Sequence, residues 1–145
     1  MLPERALAAA MEGAVQVLFV DDEQAIRLTL PPWLASFGFQ VTPVATVSEA
    51  LTLITNRTNR KFDVLIADLN LGHPADGFTV VSAMRRTQPE AVTLILTGYP
   101  AFETALEALR QQVEDYIAKP ADPAQLVRII SLQAAKTHAL LSLPS

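Results

Sequence analysis

The chain has 145 residues, half of them apolar and 18% charged, which suits one domain and argues against disorder. Its net charge of −4 gives no sign of a basic nucleic-acid-binding surface, and the absence of cysteine excludes disulfides and thiolate zinc sites. The opening residues lack the apolar region of a secretory signal, and no apolar run is long enough to cross a membrane. We therefore expect a cytoplasmic protein with no direct nucleic-acid partner and no membrane partner.

Short apolar runs alternate with helical patterns along the chain. The apolar runs predict strands at 15–20, 39–44, 62–69, 91–97 and 114–118. The segments between them predict helices at 23–37, 47–58, 77–86, 101–111 and 122–135. Five β–α repeats imply an α/β fold, a doubly wound five-stranded parallel sheet with helices on both faces. We assign residues 14–135 to this domain, 1–13 to an N-terminal extension and 136–145 to a C-terminal tail.

Two helices carry signals for their first turn. Thr46 and Glu49 form a capping-box pattern at the second helix, in which the two side chains are expected to satisfy each other's backbone donors. Asp122 is a favourable N-cap for the fifth helix, and Pro123 suits its first position.

Pro31 and Pro32 fall inside the first predicted helix, where a proline costs about 3 kcal/mol or more. Apolar residues continue at helical spacing beyond them, so we expect a kink or a restart of the helix and not its loss. Trp33 is expected to pack in the core.

Polar side chains follow four of the five predicted strands. Asp21 and Asp22 come after the first strand, Asp68 ends the third, Thr97 ends the fourth and Lys119 ends the fifth. Each could be ordinary turn or surface chemistry by itself, such as a solvated pair of aspartates. The carboxyl ends of parallel strands meet at one edge, so together these residues predict one acidic site, where Lys119 and a divalent cation offset the carboxylate repulsion. Mg²⁺ suits such a set of oxygen ligands.

The sequence motifs VDDE, VLIADLNL, DGF, LTGY and DYIAKP occur in this order and at a familiar spacing. With them the chain resembles a response-regulator receiver domain, the CheY-like phosphoacceptor module of two-component signalling, over about residues 14–135. The resemblance implies the strand order 2-1-3-4-5. It also implies a phosphorylation-controlled switch, and not a metabolic enzyme, that takes its phosphoryl group from a sensor histidine kinase or a phosphotransfer protein.

The resemblance assigns a phosphoacceptor and a Mg²⁺ site. Asp68 matches the aspartate that receives the phosphoryl group. Asp22 matches a direct ligand of Mg²⁺, and Asp21 matches an acidic residue that acts through water. Asn70 matches the position whose backbone carbonyl binds the metal.

The remaining matches concern the phosphoryl oxygens and the switch. Lys119 matches the lysine that pairs with the phosphoryl oxygens, Thr97 the hydroxyl that moves to bond them, and Tyr116 the aromatic residue that turns inward behind it. The resemblance also places partner contacts on helix 4, strand 5 and helix 5, either in a homodimer or with an effector.

Some features depart from the family pattern. The loop LNLGHPADG is one residue longer than is common, and we expect His73 in it to be exposed to solvent. Gln112 and Val113 replace a small Gly-Ala pair, so the turn before strand 5 is expected to differ. His138, in the tail, is expected to have no part in the chemistry.

Other functions fit less well. A haloacid-dehalogenase-type phosphatase would need an aspartate where Asn70 stands, and a flavodoxin-like cofactor module would need a phosphate-binding loop after strand 1. A degenerate receiver that serves only as a scaffold stays open. So does the choice between a stand-alone receiver and a piece of a longer regulator, in which the apolar tail either continues helix 5 or frays.

Overall fold

The computed structural model describes residues 14–56 and 61–141, with side chains described as far as residue 133. The described strands are β1 Val15–Val20, β2 Phe39–Val44, β3 Val64–Asp68, β4 Val92–Thr97 and β5 Asp115–Ala118. The described helices are α1 Gln24–Ala35, α2 Val47–Thr55, α3 Gly77–Thr87, α4 Phe102–Arg110 and α5 Pro123–Leu141. Residues 1–13, predicted as an extension, and Leu143 of the predicted tail lie outside the described residues.

The strands form one parallel sheet in the order β2-β1-β3-β4-β5. The predicted fold and strand order are therefore confirmed. The register aligns the carboxyl ends of the strands, because Ala67 lies opposite both Val20 and Ile95, and Thr97 lies opposite Ala118. Polar residues that follow these positions are thereby brought to one edge of the sheet.

Apolar side chains cover both faces of the sheet. On one face, Leu65 and Ile95 belong to a buried cluster that includes residues of α2, α3 and α4. On the other face, Phe19 and Ile66 pack in a cluster with residues of α1 and α5. Every residue of β3 and β4 is buried, which explains why these two strands read as nearly continuous apolar runs.

Helix α1 runs without interruption through Pro31 and Pro32, so a restart at the prolines does not occur. Leu30 and Leu34, on either side of them, are buried and hold the helix against the sheet. Trp33 is 55% exposed, so the prediction that it packs in the core was wrong. Leu30 and Leu34 take the inward positions, and Trp33 instead stacks on Phe37 with a centroid distance of 6.3 Å.

Thr46 and Asp122 cap their helices as predicted, but Glu49 bonds to the amide of Ala45 and not to that of Thr46. The Thr46 hydroxyl accepts a hydrogen bond from the Glu49 amide at 3.1 Å, and the Glu49 carboxylate accepts one from the Ala45 amide at 3.3 Å. The Asp122 carboxylate accepts one from the Ala124 amide at 3.0 Å. Helix α5 continues to Leu141, so the first part of the predicted tail extends the helix. None of the helices in the described ranges is long and apolar enough to cross a membrane.

Candidate functional site

Four strands deliver polar side chains to the same edge of the sheet. Asp21 follows β1, Asp68 is the last residue of β3, Thr97 is the last of β4, and Lys119 follows β5. Asp21 and Thr97 are fully buried, and Asp68 is 5% exposed. The structure therefore brings together these four residues, which the sequence singled out.

The Lys119 ammonium lies at the centre of a group of carboxylates. Its Nζ is 2.8 Å from Asp21 Oδ2, 3.0 Å from Glu23 Oε1 and 3.2 Å from Asp68 Oδ2. Of these three ion pairs, the contact with Glu23 also has the geometry of a hydrogen bond. One cation thus offsets much of the repulsion among three acidic side chains.

Asp68 keeps a proton more readily than an ordinary aspartate. Burial, reinforced by the neighbouring charge of Asp21, raises the pKa of Asp68 to about 6. Lys119 and a hydrogen bond from the Asn70 backbone act in the opposite direction but are outweighed. Burial by itself disfavours the charge on Lys119, yet its contacts with Asp21, Glu23 and Asp68 raise its pKa above the ordinary value. Asp68 is therefore mostly ionised at neutral pH, beside a firmly charged lysine.

The carboxylates form a group that fits a hard cation. Oxygen atoms of Asp21, Glu23 and Asp68 lie within 4.8 Å of one another. Asp21 Oδ2 is buried and has no hydrogen bond of normal geometry, although Lys119 lies close to it as an ion-pair partner. An all-oxygen set with an unsatisfied buried acceptor suits Mg²⁺ or Ca²⁺ and does not suit zinc.

The two acidic residues that follow Asp21 differ in their contacts. Asp22, the predicted direct metal ligand, is exposed, and its side chain makes no hydrogen bond or ion pair with the described residues. Glu23, which the sequence did not single out, contacts Lys119 instead. In the sequence, the only sign that Glu23 belongs to the site was its place in the acidic run DDE. The contact with Lys119 could not be predicted, because Lys119 is 96 positions away along the chain.

Thr97 and Tyr116 lie on the adjacent strands β4 and β5. The Thr97 hydroxyl accepts a hydrogen bond from the Tyr99 amide at 3.1 Å. The Tyr116 ring is half-buried against the core, and its hydroxyl is 2.6 Å from the Thr104 hydroxyl on α4. Tyr116 lies opposite Ile95, and Ile95 is two residues before Thr97 on β4. The side chains of Thr97 and Tyr116 therefore reach the same region, which consists of α4 and the loop before it.

Asn70 belongs to the loop that follows β3. Its side-chain oxygen accepts a hydrogen bond from the Ala75 amide at 2.8 Å, where Ala75 has a φ of 62°. The Asp76 carboxylate accepts hydrogen bonds from the amides of Leu71 and His73. His73 is exposed, as predicted. The longer loop is thus closed by its own side chains and leaves the Asn70 backbone beside Asp68.

Gly77, the first residue of α3, packs against the backbone of Asp68 and Leu69. Its amide donates to the Leu69 carbonyl at 2.7 Å. A Cβ at this position would lie 2.3 Å from the Asp68 carbonyl oxygen and 2.9 Å from Leu69 Cα. Any larger residue would push directly on the backbone that carries Asp68. The sequence showed the motif DGF but not this packing role.

The chain is similar in sequence and in fold to known proteins. A family model described as the response regulator receiver domain matches residues 17–131. The chain is 34% identical over 120 residues to the alginate biosynthesis transcriptional regulatory protein AlgB of Pseudomonas syringae pv. tomato, covering 83% of this chain and 26% of that protein. It is 37% identical over 106 residues to the photosynthetic apparatus regulatory protein RegA of Rhodobacter capsulatus, covering 73% and 55% respectively. The chain thus spans about a quarter to about half the length of these curated relatives.

Solved structures share the fold, and two of them serve as examples. One is a response regulator protein from Burkholderia pseudomallei with a phosphorylated aspartic acid, a calcium ion and citrate, which is 29% identical with a TM-score of 0.73. The match covers 88% of this chain and 72% of that one. The other is a CheY-like receiver domain from Methanospirillum hungatei, 25% identical with a TM-score of 0.76, where the match covers 86% and 99%.

Proposed function

The chain belongs to the response regulator receiver family, and on this premise we propose that it is a phosphorylation-controlled switch of a two-component system with Asp68 as its phosphoacceptor. The observation that carries the proposal is the pairing of a nearly buried carboxylate with a lysine ammonium 3.2 Å away, at the carboxyl edge of a parallel sheet. In this proposal the chain acts as a regulator, and phosphoryl transfer to Asp68 controls its conformational state.

Phosphoryl transfer begins at the ionised Asp68 carboxylate. One of its oxygens attacks the phosphorus atom of the donor, while the bond between phosphorus and the donor atom breaks. With a phosphohistidine donor, the imidazole leaves with the electron pair of that bond and takes up a proton. The product is an acyl phosphate on Asp68. Lys119 lies where it can neutralise charge on the transferring oxygens, since it already contacts Asp68.

A metal site is proposed among the acidic residues at this edge of the sheet. Asp21 and Asp68 are buried carboxylates, and the Asp22 carboxylate has no other described partner. These three and the Asn70 backbone carbonyl would hold Mg²⁺, with Asp22 as a direct ligand and Asp21 acting through water. When bound, Mg²⁺ supplies further positive charge for the phosphoryl oxygens. Ca²⁺ in the Burkholderia relative supports a divalent cation here.

The switch is proposed to involve Thr97 and Tyr116. A phosphoryl group adds acceptor oxygens that draw the Thr97 hydroxyl away from the Tyr99 amide. Tyr116 then leaves Thr104 and turns toward the space behind Thr97. This rearrangement changes the surface of α4, β5 and α5.

The altered surface is proposed as the contact for an effector or a second copy of the chain. Three large apolar side chains are already exposed on or beside α4: Tyr99, Phe102 and Leu109. Upstream, the donor is a sensor histidine kinase or a phosphotransfer protein in the cytoplasm. We propose no direct nucleic-acid contact for this domain. DNA binding belongs to further domains wherever the receiver works within a transcriptional regulator such as AlgB.

The test is uptake of phosphate from acetyl phosphate. Wild-type protein with Mg²⁺ should gain the mass of one phosphoryl group, and EDTA should prevent this gain. Asp68→Ala should gain nothing under the same conditions. Failure of the wild type to gain mass from either acetyl phosphate or a kinase would favour a receiver used only as a scaffold. An equal gain in Asp68→Ala would mean that another residue is the acceptor.

A further inference from the structure

Glu23 holds an unusual position for an acidic residue at the start of a helix. It is the N-cap residue of α1, yet its side chain makes no capping hydrogen bond to that helix. Its amide instead donates to Asp21 Oδ1 at 2.9 Å, and its carboxylate accepts from Lys119 Nζ at 3.0 Å. The side chain therefore serves the lysine after β5 and not its own helix.

Lys119 is surrounded by carboxylates, and of these Glu23 receives a hydrogen bond of normal geometry from it. An ammonium carries three N–H groups, and Lys119 already faces three carboxylates. A phosphoryl oxygen would therefore compete with three carboxylates for the ammonium, and with Glu23 for the N–H that is already donated.

Burial decides which partner is released most readily. Asp21 is fully buried, and losing Lys119 would leave an uncompensated charge in the interior. Asp68 is the residue to which the phosphoryl group is attached, so Lys119 has to stay near it. The Glu23 side chain is 57% exposed, so water can solvate its carboxylate once the lysine departs.

We propose that Glu23 is a positioning residue that occupies one donor of Lys119 in the unphosphorylated protein and gives it up to a phosphoryl oxygen when Asp68 is phosphorylated. This inference rests on the proposed function of Asp68. Its consequence is that Glu23 slows phosphorylation, because the lysine must break an existing ion pair before it can stabilise the transferring group. No covalent bond changes other than those of the phosphoryl transfer itself.

The experiment compares Glu23→Ala with Glu90→Ala. Both substitutions remove one negative charge, but Glu90 is an exposed turn residue just before β4, at the opposite end of the sheet. With Mg²⁺ and phosphoramidate as the donor, Glu23→Ala should raise the phosphorylation rate constant by about two- to fivefold, the range of an exposed ion pair. Glu90→Ala should leave this rate constant at the wild-type value.

Two further readouts separate positioning from other roles. The ¹⁵N resonance of the Lys119 ammonium should shift in Glu23→Ala and not in Glu90→Ala. Because Glu23 lies beside the proposed metal ligands, the lost charge in Glu23→Ala should weaken Mg²⁺ binding by no more than about fivefold. A lost metal ligand would cost about tenfold or more.

Several results would overturn the inference. A phosphorylation rate for Glu23→Ala equal to that of Glu90→Ala would show that the ion pair does not restrain Lys119. An unshifted Lys119 resonance would show that the contact is absent in solution. A Mg²⁺ affinity weakened tenfold or more would make Glu23 a metal ligand. If wild type takes up no phosphoryl group while the Lys119 resonance still shifts, the proposed function fails but the ion pair stands.

Discussion

Asp68 combines two demands that oppose each other at the level of a single residue. A nucleophile has to be ionised, but burial beside Asp21 makes its ionised form less stable. The ordinary pKa of 3.8 is raised to about 6, which still leaves the carboxylate ionised at neutral pH. The unphosphorylated site therefore stores unfavourable electrostatic energy that a bound cation relieves.

This raised pKa predicts how stability depends on pH without metal. The folded chain keeps the Asp68 proton to a higher pH than the unfolded chain, so the free energy of unfolding falls as pH rises from about 3.8 to about 6. Above that range the ionised Asp68 carboxylate lowers the free energy of unfolding by a constant amount, roughly 1 to 3 kcal/mol. Asp68→Asn removes it and should be more stable than wild type at pH 7.5 in EDTA, but not at pH 4.

Urea unfolding of both proteins at the two pH values measures this difference. Subtracting the variant from wild type cancels the titrating groups that do not interact with Asp68, so the remaining difference belongs to Asp68 and to its neighbours Asp21 and Lys119. A variant that is less stable than wild type at pH 7.5 would contradict the assigned electrostatic penalty. Added Mg²⁺ should reduce the difference in unfolding free energy at pH 7.5, because it stabilises wild type more than Asp68→Asn.

Gly77 gives a second prediction at this scale. Gly77→Ala places a methyl group against the backbone of Asp68 and Leu69, so we expect a loss of roughly 1–3 kcal/mol in the free energy of unfolding. We also expect slower phosphorylation, because the displaced backbone carries the acceptor. Gly98→Ala is the matched control, since its Cβ meets nothing within 4 Å. Equal unfolding free energies for the two variants would contradict the close packing of Gly77.

At the scale of elements, a polar network joins α3 to the turn before β5. The Glu114 carboxylate accepts hydrogen bonds from the amide and hydroxyl of Thr93 at 2.6 and 2.8 Å, and it pairs with Arg85 at 3.4 Å. Arg85 also donates to the Gln112 carbonyl, at a residue with a φ of 59°. The Gln112-Val113 turn that departs from the family pattern is thus held by an arginine from α3.

Removing the acceptor at the centre of this network should be costly. Glu114→Ala leaves the buried Thr93 amide without its acceptor and removes the ion-pair partner of Arg85. Because Arg85 keeps its hydrogen bonds to Thr93 and Gln112, we expect the free energy of unfolding to fall by roughly 1–3 kcal/mol. Thermal or urea unfolding checks this value, with Glu103→Ala, an exposed residue in the first turn of α4, as the control. A loss below about 0.5 kcal/mol, typical of surface positions, would mean that the network contributes little.

At the scale of the whole molecule, the order of elements was the most predictable feature. Alternating apolar and helical patterns require a parallel sheet, and buried strands such as β3 and β4 are readable because both of their faces are covered. The site followed from the same argument, since parallel strands end at one edge. Asp21, Asp68, Thr97 and Lys119 each follow or end a strand, so their convergence needed no knowledge of side-chain packing.

The features that escaped prediction depend on contacts between distant segments. Glu23 meets Lys119 across 96 positions, and Arg85 meets Glu114 across 29. Neither pair leaves a local pattern in the sequence. Trp33 was misjudged for a related reason: its helix faces the core through Leu30 and Leu34, and large size alone does not decide which residue of a helix is buried.

The central claim is that Asp68 becomes an acyl phosphate, and borohydride reduction tests it most directly. Protein treated with Mg²⁺ and acetyl phosphate is reduced, so that a phosphorylated aspartate becomes homoserine, and is then cleaved with trypsin. Homoserine should appear at position 68 in the peptide of residues 62–85, and it should be absent when EDTA is present. Homoserine at Asp63, Asp76 or in the peptide that carries Asp21 and Asp22 would contradict the assignment of Asp68.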